Sequence, residues 1–239
     1  NLKPTKTEAV IAFRGPHARE CRSELFHDRQ GLIHDFGSGQ VFRCVPSYEH
    51  LGTIYTADGT GAAEVAHRVA RAQHAHHEVC KSILRNRHLA VSTRLRLLEG
   101  LVVPVLFHGA GAWSLLNSRQ LQRLQSTYLK WVRGIVQNGF WAPAMQTDTH
   151  LLMVWRLPSV SLRLAKLRLL YAFHLVKDCP APIIEMISLQ PDHKHSWFRA
   201  VRQALMWLHR MDASLFHIEP AHASIGQLLD WFRDHLQDR

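Results

Sequence analysis

His74, His76, His77 and Cys80 are the closest the sequence comes to a metal-ligand cluster. Zinc sites draw on His and Cys, and His77 and Cys80 stand at an i,i+3 spacing that one helical face allows. His74 and His76 point to different faces, however, and no second ligand pair at the usual spacing follows. No metal site is therefore expected from the run. His193 and His195 form another His-x-His without a supporting Cys, and read as part of a linker. Metal-assisted phosphoryl transfer needs paired carboxylates, yet Asp28, Asp35 and Asp58 each stand in a turn without a carboxylate neighbour. Cys21, Cys44, Cys80 and Cys179 are too widely spaced for Cys-x-x-Cys pairs or a dense disulfide framework, so the expectation is reduced thiols in an intracellular protein. Nucleus and cytoplasm are not distinguished.

Binding chemistry is better represented. Net charge is +10 with a pI near 10, and 18 histidines can add to it below neutral pH. That balance favours a polyanionic partner, nucleic acid or an anionic membrane surface. The most apolar stretch, Leu97 to Phe107, contains Glu99, Gly100 and Pro104 and falls short of the ~20 residues a membrane span needs. No secretory leader pattern precedes it, and the expectation is no membrane partner. Arg68, Arg71, Lys81 and Arg85 are expected on the flank of the first long helix, off its apolar seam, where they could track a duplex backbone. A solvated helix face is the competing reading. Gly52 lets another backbone approach closely, or marks a bulge in a strand.

The elements that must carry these residues follow from periodicity. Residues 8–13 read as a buried strand, and residues 14–39 as an irregular excursion with at most one helical turn near Glu20–His27. Residues 40–45 and 50–55 read as two strands of a hairpin around Pro46-Ser47. From Gly61 the period changes: Ala62, Val65, Val69, Ala72, His76, Val79 and Ile83 recur at steps of three and four. Glu64 suits the positive end of that helix and pairs with Arg68 at i,i+4. A second helix starts at Ser92, turns Leu95, Leu98, Val102 and Val105 inward, and bends or ends near Pro104. Asn117 or Ser118 caps a third, with Leu121, Leu124, Tyr128, Trp131 and Ile135 inward. Residues 138–157 read as a loop with at most a short helix, 159–177 as a helix deep in a bundle, and 178–194 as a Pro-containing linker. Two further helices are expected over 195–210 and 224–236, and the tryptophans read as core. Composition supports a packed chain, with 46% hydrophobic and 20% charged residues. The fold class is α+β, mostly α: a few strands, then a run of helices.

Several of these pieces, in this order, resemble one family. Asn1 followed by Lys6-Thr7-Glu8 and an apolar strand is similar to the segment after the catalytic aspartates in reverse transcriptases of non-LTR, LINE-type retrotransposons. Tyr48-Glu49-His50-Leu51-Gly52 resembles the Tyr-x-x-Leu-Gly of that family's primer grip. The stretch from Glu64 to Ala72 resembles its first thumb helix. Arg96-Leu97, then Val103-Pro104, Gly109 and Trp113, resemble its second thumb segment, and Leu121 to Ile135 its third. His108 and Ala112 depart from the commoner residues of the pattern, as in a fast-diverging copy. The match spans residues 1–136, with a fainter echo around Leu157-Pro158-Ser159 and Arg163 to Leu170.

The resemblance implies a segment of a longer polyprotein, which an Asn at position 1 also suggests. Distal palm and primer-grip hairpin would occupy 1–57, a helical thumb 58–137 and a helical extension 138–239. Lys6 would reach the incoming triphosphate and assist pyrophosphate departure, a role worth ~10²–10⁴-fold as general acid. Tyr48, Leu51 and Gly52 would hold the primer end through its phosphates, and Arg68, Arg71, Lys81 and Arg85 would hold the duplex. The partner is an RNA–DNA hybrid, or an RNA template with a DNA primer, together with the upstream palm and fingers. The family's Tyr-x-Asp-Asp turn is not in the sequence. The segment alone is thus expected to be inactive and to bring no cofactor, with Mg²⁺ belonging to the parent enzyme. The alternatives are a non-enzymatic helical module that binds nucleic acid by itself, and a decayed element without function.

Overall fold

Short β-prone runs separated by turn residues make short strands, and long amphipathic runs make the helices that dominate the molecule. The computed structural model describes residues 8–11, 13, 15–28, 32–34, 41–50, 52–57, 61–137, 147–189 and 196–237. The chain divides into two compact units, Asn1–His67 and Arg68–Arg239.

In the first unit, β1 (Glu8–Ala9) runs parallel to β3 (Val41–Cys44), and β2 (Leu32–His34) pairs antiparallel on the other side of β3. Between β1 and β2 lies α1 (Ala18–Ser23), prolonged by a π-helical turn over Glu24–Asp28. The helical turn expected near Glu20–His27 is thus present and extends over Ala18–Asp28, and the excursion also holds a strand. The expected strand over 8–13 is only two residues long.

The hairpin also differs from expectation. Its strands are β4 (Ser47–His50) and β5 (Thr53–Thr56), paired antiparallel from Ser47↔Thr56 to His50↔Thr53. The run over 40–45 belongs to the other sheet. Pro46 accepts from the Ala57 amide just outside the hairpin, and the reversal falls two residues beyond His50, at Gly52. Gly52 has φ +78°, a region that costs any residue with a Cβ about 1 kcal/mol or more.

α2 (Ala62–Val79) begins in the first unit and continues into the second, ending in a π-helical turn over Cys80–Leu84. α3 (Val91–Leu101) and α4 (Val103–Leu106) are separated at Val102, and Pro104 sits in the first turn of α4, where its missing N–H costs nothing. A 3-10 turn over Ala110–Ala112 leads to α5 (Ser118–Gln137). α5 opens on a reciprocal cap: Gln120 N–H donates to Asn117 Oδ1 at 2.9 Å and Asn117 N–H to Gln120 Oε1 at 2.8 Å.

Then come α6 (Asp148–Val154), α7 (Val160–Asp178), α8 (Ala181–Ser188), α9 (Trp197–Met211) and α10 (Ile225–Gln237). α8 lies in the stretch expected to be a linker. Pro180 is its N-cap and Pro182 stands in its first turn, so neither proline interrupts a hydrogen bond. α7 packs against α9, α10, α5 and the 3-10 turn. It is central to its unit, although Leu162, Leu170 and Tyr171 remain exposed on it. Ala172, Val201, Leu205, Leu228, Trp231 and Phe232 form the core that α7, α9 and α10 share.

The molecule is therefore mostly helical with few short strands. Among the described residues no helix is long and apolar enough to cross a membrane.

Candidate nucleic-acid interface

Within the second unit, the polar flanks of α5 and of the stretch of α2 beyond His67 line a common groove. α5 buries Leu124, Tyr128, Trp131 and Ile135, which leaves Lys130 and Arg133 on its other flank. α2 and its π-helical turn add Gln73, His76, His77 and Arg85. Together they line a groove of about 1030 Å³ that ends at Asp148 of α6. Arg133 is ion-paired with Asp148, whereas Arg85 and Lys130 are exposed cations. Gln73, Gln122, Gln125 and Thr127 supply neutral donors and acceptors along the same walls. Cations spaced among amides and hydroxyls suit a sugar–phosphate backbone, which is held without reading its sequence.

At the groove floor the His76 ring stacks on Trp131, with centroids 5.1 Å apart and planes 12° apart. Burial pushes the His76 pKa below its ordinary value, and Arg85, His77 and Lys130 push it the same way. The ring is thus held towards its neutral form, with Trp131 as its packing partner. Among the described residues no group of three or more His, Cys, Asp or Glu side chains is placed to hold a metal ion.

The residues singled out from the sequence are only partly assembled. Lys6 and Leu51 lie outside the described residues. Tyr48 is exposed on β4 and stacks on His50, 6.1 Å between centroids. Gly52 occupies the hairpin turn, so its left-handed backbone accounts for the glycine before any phosphate is invoked. The hairpin is tied down within its own unit, where Ile54 N–H donates to Glu64 Oε2 at 2.6 Å. Arg71 and Lys81 are exposed on α2 and its π-helical turn, and Arg85 lines the groove.

Arg68 differs from expectation. It is only 5% exposed, in the seam with Val65, Val69 and Ala72, and so does not stand on the solvated flank. Its position, three after Val65 and four before Ala72, is that of a seam residue; only its polar type argued otherwise. Lys130 and Arg133 were missed, although the α5 apolar stripe already placed both outside the core.

A second polar cluster joins three helices on the other side of α5. Tyr128 Oη donates to Glu99 Oε1 at 2.9 Å, and Arg163 Nη2 donates to Glu99 Oε2 at 2.6 Å and to Tyr128 Oη at 3.0 Å. The Arg163 guanidinium also lies over the Tyr128 ring, 5.0 Å from its centroid. Burial raises the Tyr128 pKa and keeps the phenol protonated. This cluster is cross-bracing between α3, α5 and α7.

No protein-family model, no curated protein and no solved structure matches the chain.

Proposed function

We propose that the chain is the distal palm, primer grip and thumb of a non-LTR retrotransposon reverse transcriptase, and that it holds the template–primer duplex while an upstream palm performs the chemistry. The observation that carries this reading is the basic groove between α2 and α5, the two helices that the resemblance assigns to the thumb. Arg85 and Lys130 meet phosphates there, and the amides beside them meet ribose hydroxyls and phosphate oxygens. The hairpin β4–β5 takes the primer end, with Tyr48 exposed beside it. No polymerisation is expected from the chain alone, because the Tyr-x-Asp-Asp carboxylates are not in its sequence.

Fluorescence anisotropy with a labelled RNA–DNA hybrid tests the reading. About four phosphate contacts would give a log K against log salt slope near −3 to −4. Binding that ignores salt would remove the electrostatic basis. An upstream Tyr-x-Asp-Asp in the same reading frame separates this proposal from a self-contained helical module that binds nucleic acid, which the confinement of the groove to the Arg68–Arg239 unit would also suit.

A further inference from the structure

Five residues beyond Arg163 on α7, Arg168 is buried, and no acid among the described residues is paired with it. It is 7% exposed, donates through Nη2 to the Ser114 carbonyl at 3.3 Å, and its Nε meets no acceptor. Burial alone moves its pKa, down to about 10, so the guanidinium still carries its charge at neutral pH. A guanidinium has five N–H donors, and one carbonyl is a poor return for removing it from water. An unmatched buried charge costs several kcal/mol. Arg163, on the same helix, has its match in Glu99.

Arg168 also lines a pocket of about 340 Å³ walled by the start of α5, by α7 and by α9. Leu116, Leu121, Leu162 and Trp207 make most of its surface apolar, while Gln203 adds an amide and Ser159 and Ser161 add hydroxyls. The volume falls in the range of small-molecule sites, and an apolar cavity with a single charged group in its wall has the usual make-up of such a site.

We infer that this pocket binds a small apolar carboxylate, whose two oxygens pair with the Arg168 guanidinium while its hydrocarbon lies against Leu121, Leu162 and Trp207. A carboxylate fits better than a phosphate ester. Its single charge balances the single guanidinium, and its two oxygens match the planar fork. A phosphate dianion would bring a second charge, and among the described residues the lining holds no second cation to balance it. The site lies apart from the α2–α5 groove, and the inference stands without the nucleic-acid reading.

The test compares octanoate with octanol, equal in chain length and different in charge, on the 239-residue chain by isothermal titration calorimetry. Octanoate should bind at least tenfold tighter than octanol. Arg168→Met should abolish that preference. A diazirine-bearing octanoate should label residues of α7 and α9 on the unmodified protein. Equal binding of the two probes, or binding of neither, overturns the inference. So does a folded Arg168→Met protein that still prefers octanoate. Should Arg168→Met fail to fold, the wild-type preference and the labelled positions decide: label confined to helices other than α5, α7 and α9 also overturns it.

Discussion

The two sides of α5 treat charge in opposite ways. Towards α2, Lys130 and Arg85 stand in an open groove with water as their solvent. Towards α3 and α7, Tyr128 is buried and Arg163 largely so, and the charge is matched within the chain by Glu99. Surface cations keep their hydration and are nearly neutral for folding, so they remain available to a large partner. Arg163, taken largely out of water, is answered by the fixed carboxylate of Glu99 and so becomes part of the scaffold. Arginine count alone therefore says little about a binding surface; which side of a helix each one occupies decides its use.

The largest expected effect tests the dry side. Arg163→Met should lower stability by about 3 kcal/mol, since it leaves Glu99 part-buried without its cation. Urea unfolding measures this, and hybrid affinity should hold. A loss below about 1 kcal/mol, the size of an exposed pair, would place the cluster on the wet side of the comparison.

Gly111→Ala comes next. A Cβ there would lie 2.7 Å from Tyr171 Cβ and 2.8 Å from the Leu167 carbonyl oxygen, so the 3-10 turn must move off α7. The expected cost is about 2 kcal/mol, read from the same unfolding curves. An unchanged midpoint would mean that this contact is looser than the geometry indicates.

On the wet side, Arg85→Glu with Lys130→Glu should weaken hybrid binding by about 1 kcal/mol or more and flatten the salt slope by about 2. Thermal stability should stay the same. A lowered thermal midpoint with affinity intact would reverse the assignment of the two sides.

The smallest effect is a pH dependence at the groove floor. The folded His76 pKa lies below its ordinary 6.5, so over that interval the unfolded chain binds more protons. The stability linked to His76 is thus present above pH 6.5 and is lost as pH falls towards the folded value. Comparing urea midpoints at pH 7.5 and 5.5, His76→Gln should lose less stability on acidification than the wild type. Identical losses would show that the ring is as well solvated as an exposed histidine.

Long periodic segments were the legible part of the fold. Steps of three and four residues locate α2, α5, α7, α9 and α10, because an amphipathic helix must repeat its apolar residues with the helical turn. Prolines misled twice. Pro46 looked like a hairpin turn, although the reversal is at Gly52, and Pro180 and Pro182 looked like linker, although a helix accepts proline in its first turn. The strand β2 escaped notice because no alternating pattern marks a three-residue segment paired along one edge. For the candidate site, Arg85 was legible as a cation off the apolar seam, while Arg68 was not, because polarity was weighed over position. Lys130 and Arg133 could have been found by applying to α5 the reading given to α2. That no acid among the described residues pairs with Arg168 had no sequence signal, since it depends on how distant segments pack around α7.

The π-helical turn over Cys80–Leu84 has a consequence for the chain's history. Simple counting from Val69, Ala72, His76 and Val79 puts Ile83 in the core, yet Leu84 is the residue buried there, at 1% exposure. A π turn takes one residue more than an α turn, and the alignment of side chains beyond it is displaced by that one residue. Such a turn has the form of a single-residue insertion absorbed without breaking the helix. Arg94 Nη1, from α3, donates to the Leu84 carbonyl at 3.2 Å and helps hold the altered end in place. A lineage that gained or lost one codon in this stretch would keep both flanking helices while exchanging Ile83 for Leu84 in the interior, and would turn Arg85 to a different bearing on the groove.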